Sequence, residues 1–380
     1  MTEKEAYIAF NLTEQVGSVK VGALARQHGT VAAAWESYPK KVARAGGAVD
    51  WQGEVRKAEK FGVALLTPAD DAYPEILRAA PGHPLVLYVK GDVSALSRPA
   101  LALVGTRRAT PYGQDQAFTL ARDLAEEGWM ILSGLALGID AAAHKGALAA
   151  SGITVGILGS GLDRFYPEEN RDLAREIVHK GGAVVSEFPF GRAPDTQTFP
   201  QRNHVVAALA RGVIAVESPI KSGTLITAGF AADLGRTVMA VPSRVDSWSS
   251  AGCLRLIRDG ARLVRHARDV EEEMSDLIPR KTLKRPISDD LFSETTGSVP
   301  SENAGSVPAR TGSVPVEAPP FSPEEALLMK HVDAEGVPLD DLVRRTGLSA
   351  AKVNALCMTL RVKGRLRYFP GNRVALPRAD

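Results

Sequence analysis

Val213-Ile214-Ala215-Val216-Glu217-Ser218-Pro219-Ile220-Lys221-Ser222-Gly223-Thr224-Leu225-Ile226-Thr227 passes from an apolar run through a small-residue turn into a helix-length stretch. A strand that feeds a helix through Ser-Gly-Thr leaves unpaired backbone N–H groups at the junction. Two hydroxyls lie beside them and a lysine just upstream. Helix-terminus donors, helix dipole and one cation together suit a phosphate. That phosphate belongs either to a nucleotide cofactor or to a nucleic-acid backbone.

Working outward, the same unit recurs across residues 100–241. Leu101–Val104, Trp129–Leu132, Ile153–Leu158, Ala183–Val185, Val213–Val216 and Val238–Val241 are short, nearly continuous apolar runs. Parallel strands buried on both faces read this way. Helical patterns at Gln114–Glu127, Asp140–Ala150, Glu168–Lys180, Pro200–Ala210 and Leu225–Leu234 separate nearly all of them. The alternation predicts βαβ units in an α/β, Rossmann-like, doubly wound sheet over residues 96–277.

Residues 1–95 read as a helical module of helix-hairpin-helix or SAM type ending in a strand-like run, Leu85–Val89. A turn at Val16–Gly22, between helical stretches Tyr7–Thr13 and Val21–His28, serves either a DNA backbone or a plain helix–helix connection. Residues 278–322 lose all periodicity and hold Gly-Ser-Val-Pro three times, from Gly297, Gly305 and Gly312, which reads as a flexible tether. Residues 323–380 read as helices Glu324–Asp333, Leu339–Thr346 and Ala350–Lys363. A hairpin of Leu366–Phe369 and Val374–Leu376 follows, completing a winged-helix plan. Arg361, Lys363, Arg365, Arg367 and Arg373 give this module a basic face, suited to DNA, to a protein contact or to solvent alone.

Hydrophobic content of 44% and charged content of 24% are those of an ordinary soluble protein. A net charge of +2 means that nucleic-acid affinity must come from a local patch. Two distant cysteines, Cys253 and Cys357, argue against a disulfide framework or a zinc ribbon. The first residues lack a signal-peptide pattern, and no apolar stretch approaches the roughly 18 residues of a membrane span. The expected location is the cytoplasm.

In open α/β sheets the turns at the carboxyl ends of the strands share the ligand crevice. Gly159-Ser160-Gly161 begins a dinucleotide fingerprint, but Arg164 occupies its third glycine position and would crowd the helix–strand packing. No Walker A loop exists. Neither a cofactor nor a metal is expected. Asp140 and His144 could pose as a general-base pair, though a structural role, with the histidine bonded to Asp140 or packed on its helix, is the preferred reading. Glu187 and Glu217 are lone acids at strand ends. What remains is a ring of donors: Arg107, Arg108, Arg164, Arg202 and Lys221, with Asn203 and the Ser222, Gly223 and Thr224 amides. Phe165, Tyr166 and Phe199 lie among them in sequence, with Phe165 the expected stacking residue. Cations interleaved with aromatics suit single-stranded nucleic acid.

The motifs Val104–Arg107, Ser133–Asp140 with Ala143-His144, Leu158–Pro167 with Asn170, Ser186–Pro189, Phe199–Asn203 and Ser222–Ala228 with Ala231-Ala232 occur in that order. The ordered set resembles the DNA-processing protein A (DprA/Smf) family of bacterial natural transformation. The resemblance implies an extended Rossmann-like core that binds single-stranded DNA without base specificity, as a homodimer. It also implies loading of a RecA-type recombinase and displacement of single-strand-binding protein, with no reaction catalysed. His204, Ser243 and Leu254 depart from the family pattern. A rival reading is a nucleoside-phosphate-processing enzyme of Lonely Guy-like fold. It is disfavoured because Thr227 stands where those enzymes carry a catalytic glutamate.

Overall fold

In the computed structural model the chain divides into two units, residues 1–287 and 288–380. The structure describes residues 1–38, 42–44, 46–275, 323–333 and 337–349, and beyond them 352–353, 356–357, 360, 366–369 and 373–375. The expected tether, 278–322, lies outside the described residues, as do Arg361, Lys363 and Arg365.

The first unit is built on one sheet. Its strands are β1 (Ala64–Leu66), β2 (Leu87–Gly91), β3 (Ala100–Gly105), β4 (Met130–Ser133), β5 (Thr154–Leu158), β6 (Ala183–Ser186), β7 (Gly212–Glu217), β8 (Thr237–Ala240) and β9 (Arg262–Leu263). They lie in the order β1-β2-β6-β5-β4-β3-β7-β8-β9. Pairing is parallel from β6 to β9, while β1 and β2 extend the sheet in antiparallel register. Strand β3 shows why the central runs are continuously apolar. Leu101 and Leu103 enter one core, and Ala100, Ala102 and Val104 the core on the other face.

The helices of this unit are α1 (Glu3–Leu12), α2 (Ser18–His28), α3 (Val31–Ser37), α4 (Trp51–Phe61), α5 (Glu75–Arg78), α6 (Pro111–Glu126), α7 (Ile139–Ala149), α8 (Arg171–His179), α9 (Thr198–Leu209), α10 (Gly223–Asp233), α11 (Ala251–Arg258) and α12 (Ala267–Glu273). Leu120 and Leu124 of α6, Ala143 and Ala147 of α7 and Val270 of α12 bury one face of the sheet. Val205–Leu209 of α9 and Ala231 of α10 bury the other. The two faces switch because the chain builds β3 to β6 in one direction and then returns through α9 to place β7 on the far side of β3.

Helices α1 to α4 gather around Phe10, which meets Trp35 edge-on at 5.1 Å. The expected Val16–Gly22 turn is shorter in the structure. Gly17 takes the N-cap position, α2 begins at Ser18 and Val21 is buried inside it. This helical part is fastened to the sheet: Glu54 of α4 accepts from Phe190 N at 2.8 Å and from the Tyr88 hydroxyl at 3.0 Å.

The second unit contains α13 (Pro323–Met329), α14 (Leu339–Thr346), β10 (Val337–Pro338), β11 (Arg367–Phe369) and β12 (Arg373–Ala375), with strand order β10-β12-β11. Gly347, at φ 67°, ends α14 in the left-handed conformation that favours glycine. The Ser349 hydroxyl then accepts from Lys352 N at 3.3 Å, as a helix cap does. Leu328, Leu342, Val353, Cys357, Leu360 and Val374 form its core. This is a winged helix, with Arg367 and Arg373 on its hairpin strands.

Candidate nucleic-acid interface

Strands β4 and β7 flank β3, so the chain leaves β3 to one side and comes back on the other. That reversal opens a crevice at the carboxyl ends of β3 and β7. Register slips there, with Gly105 opposite Glu217 rather than Val216, and Thr106 N donates to Glu217 O at 2.7 Å. The β3 turn carries Arg107 and Arg108, both exposed. Arg107 lies over the Phe199 ring, 4.5 Å from its centroid.

The β4 turn, Ser133–Gly138, is held from beneath. Asp140 is buried at the start of α7 and accepts from Gly134 N at 3.1 Å and Ala136 N at 3.3 Å. Burial pushes the Asp140 carboxyl up, and the Arg202 guanidinium pulls it back toward the ionised form. Gly138 has φ 77°, and a Cβ there would stand 2.4 Å from Thr106 O. The β4 turn can therefore pack against the β3 turn only with glycine at this position.

Arg202 corrects an expectation. It reads in sequence as a phosphate-binding cation, but it is 5% exposed. Its Nη1 donates to Gly134 O and, at 2.7 Å, to Ile157 O, while Nε donates to Asn203 Oδ1 at 3.1 Å. The guanidinium is a tie between the β4 and β5 ends and reaches the crevice chiefly as a buried field behind Arg107. Asn203 is a tie as well, since its Nδ2 donates to Gly223 O at 3.3 Å.

The β5 turn supplies Arg164, which is exposed and has no ion pair among the described residues. Phe165 departs from its expected role. It is half-buried, packs with the Leu158 and Leu173 cluster and lies under Arg171 at 5.1 Å, and it does not line the cleft that holds Arg107. Its neighbour Tyr166 is 46% exposed and comes within 6.2 Å of Phe199. Arg107, Gly134, Ala136, Leu137, Gly159, Tyr166, Pro167, Phe199 and Arg202 line one small cleft, with two arginines, two aromatic rings and no carboxylate.

At the β7 turn Lys221 is exposed, and Ser222 occupies the N-cap position of α10. Its hydroxyl meets the Ser218 hydroxyl at 2.6 Å and makes no cap bond to the helix. The Gly223 and Thr224 amides are thus left without a side-chain acceptor, while Leu225 N donates to Ser222 O at 3.3 Å. Thr224 is buried, so of the expected pair only the Ser222 hydroxyl sits near the surface. Arg164, Arg107, Arg108 and Lys221 therefore sit exposed on the turns that follow β5, β3 and β7. The strands that carry these turns span three inter-strand steps, about 14 Å at ordinary strand spacing.

The remaining candidates resolve into structural parts. His144 Nδ1 lies 2.7 Å from the Thr154 hydroxyl, which itself donates to Ile131 O at 2.7 Å. The ring is therefore protonated on Nδ1 and does not bond Asp140. Burial pushes its pKa down to about 3, leaving it neutral. Glu217 accepts from Thr110 N at 2.8 Å and caps the start of α6. Glu187 has a buried oxygen with no partner and is pushed up to about 7 by burial, which Arg44 partly opposes.

Among the described residues no helix is long and apolar enough to cross a membrane, and no group of three or more metal-ligating side chains converges. The family model described as DNA recombination-mediator protein A matches residues 64–275, and the DprA winged helix domain matches residues 313–372. Protein Smf of Synechocystis is 34% identical over 320 residues, 81% of this chain and 79% of that protein. Protein Smf of Escherichia coli is 33% identical over 321 residues, 83% and 78% of the two chains. The crystal structure of DNA processing protein A from Streptococcus pneumoniae superposes with a TM-score of 0.61 at 32% identity, covering 72% of this chain and 98% of that one. A structure of DNA processing protein A from Helicobacter pylori, described for its single-stranded DNA binding mode, superposes with a TM-score of 0.51. It is 30% identical and covers 56% of this chain and 96% of that one.

Proposed function

Because the chain belongs to the DNA recombination-mediator protein A family, we propose that its core grips single-stranded DNA by the backbone. We propose further that it protects incoming strands and passes them to a RecA-type recombinase in natural transformation, displacing single-strand-binding protein and acting as a homodimer without catalysing a reaction. The observation that carries the DNA-binding part is the exposure of Arg164, Arg107, Arg108 and Lys221 on the turns after β5, β3 and β7, with Arg107 over the Phe199 ring and the exposed Tyr166 near it. Cations along one rim take phosphates, the free amides of α10 add donors, and the rings take bases of any identity.

The enzymatic alternative is not favoured. Thr227 is buried and its hydroxyl donates to Gly223 O at 3.2 Å, a bond within its own helix. It offers no acid to the crevice.

Charge-removing substitutions test the reading. Arg107→Ala and Lys221→Ala each weaken oligo-dT binding and reduce the slope of log K against log salt by about 0.7 for each phosphate no longer neutralised. Unchanged slopes in both variants contradict the assignment.

A further inference from the structure

The connection between β8 and α11, residues 241–250, has no part in the site above, yet it follows the strand next to β7. It therefore stands at the same carboxyl edge as the Lys221 turn. Trp248 in this loop is 64% exposed, and its indole takes no ring or cation partner among the described residues.

The loop around that ring is well tied. Tyr112 of α6 donates its hydroxyl to Pro242 O at 3.1 Å, and Arg244 forks onto Asp246 at 3.0 and 2.7 Å. Two successive turns, Ser247 N to Arg244 O and Ser250 N to Ser247 O, both 3.2 Å, frame Trp248. Just beyond, Gly252 N donates to Ser218 O at 2.7 Å, and a Cβ on Gly252 would fall 2.6 Å from the carbonyls of Ser218 and Pro219. Only glycine permits that approach, and it fixes the loop against the turn that carries Lys221.

We infer that Trp248 is a base-stacking residue that extends the single-strand path one strand beyond β7. The inference rests on the reading of the core as a single-strand groove. With a phosphate held at Lys221 and the α10 amides, nucleotides that run on toward β8 meet an exposed indole on a tied loop. Every base has a π-face, so the contact is sequence-tolerant. Arg244 is engaged with Asp246, so this end of the path adds stacking rather than charge. Removing the indole thus leaves a signature distinct from removing a cation.

The test uses the full chain, with Trp248→Ala and Trp248→Phe, and labelled oligo-dT of about 6 and about 20 nucleotides. Trp248→Ala is expected to weaken the longer oligonucleotide roughly 5- to 100-fold. Its salt slope stays that of the parent, the shorter oligonucleotide loses little, and Trp248→Phe recovers most of the affinity. Equal affinity of parent and Trp248→Ala at both lengths overturns the inference while leaving the groove intact. A changed molecular mass by light scattering with unchanged affinity also overturns it and assigns the indole to an interface between copies. Failure of the parent chain to bind either oligonucleotide overturns the groove itself, and Trp248 with it.

Discussion

Arg107 and Arg202 line one cleft and have opposite tasks. Arg107 is exposed over a ring, with its charge available. Arg202 is buried, bonded to two carbonyls, and balances the buried Asp140. Arg202→Met strands Asp140 and the two carbonyls, and is expected to cost about 3–5 kcal/mol in urea unfolding. Arg107→Ala stays within about 0.5 kcal/mol of the parent stability and loses DNA affinity instead. Adjacent aromatics divide in the same way. Tyr166→Ala is expected to weaken oligo-dT binding by about 1–3 kcal/mol, while Phe165→Ala lowers stability and leaves affinity unchanged. The reverse pattern in a paired binding and unfolding experiment restores Phe165 as the stacking residue. Glu187 sets a pH response. Its folded-state pKa lies above the unfolded one, so the folded chain holds the proton more tightly between the ordinary glutamate range and about 7. That contribution is full at acid pH and is lost as pH rises through 7. Glu187→Gln is therefore expected to gain stability over the parent at pH 8 and to lose that advantage by pH 4.5, read by urea unfolding at both values.

At the scale of elements, glycines set how closely the turns approach. Gly138→Ala forces a side chain onto the Thr106 carbonyl at a positive φ. It is expected to cost about 2 kcal/mol or more and to loosen DNA binding by shifting the β3 and β4 turns apart; a variant matching the parent in both assays contradicts that packing. The central strands were legible in sequence because burial on both faces leaves an unbroken apolar run, as in Leu101–Val104. Short edge strands were not. Arg262–Leu263 is exposed and has no pattern of its own, becoming strand only by pairing with β8. The turns that form the crevice could be found from small residues at strand–helix junctions, and the structure places Arg107, Arg164 and Lys221 exposed on them. Which way a side chain leaves a turn could not be found so. Phe165 and Tyr166 are neighbours with opposite surroundings, and the inward position of Arg202 depends on how α9 lies against β4 and β5. Trp248 has no phosphate motif around it to mark it in sequence. Its meaning comes from strand order, which places β8 beside β7.

At the scale of the molecule, the sheet unit and the winged helix each have their own core, and the proposed groove belongs wholly to the first. A chain ending at residue 287 is accordingly expected to bind oligo-dT with the salt slope of the full chain. A collapsed slope in that shortened chain moves part of the phosphate grip to the winged helix. The homodimer and the hand-over to a recombinase are separate proposals and require separate assays. The central claim, that a row of cations across β5, β3 and β7 grips single-stranded backbone, is tested most directly by fluorescence anisotropy across a salt titration, with labelled oligo-dT and a duplex of equal length. Tight, steeply salt-dependent binding of oligo-dT and much weaker binding of the duplex are expected. Preference for the duplex, or single-strand binding that ignores salt, would contradict it.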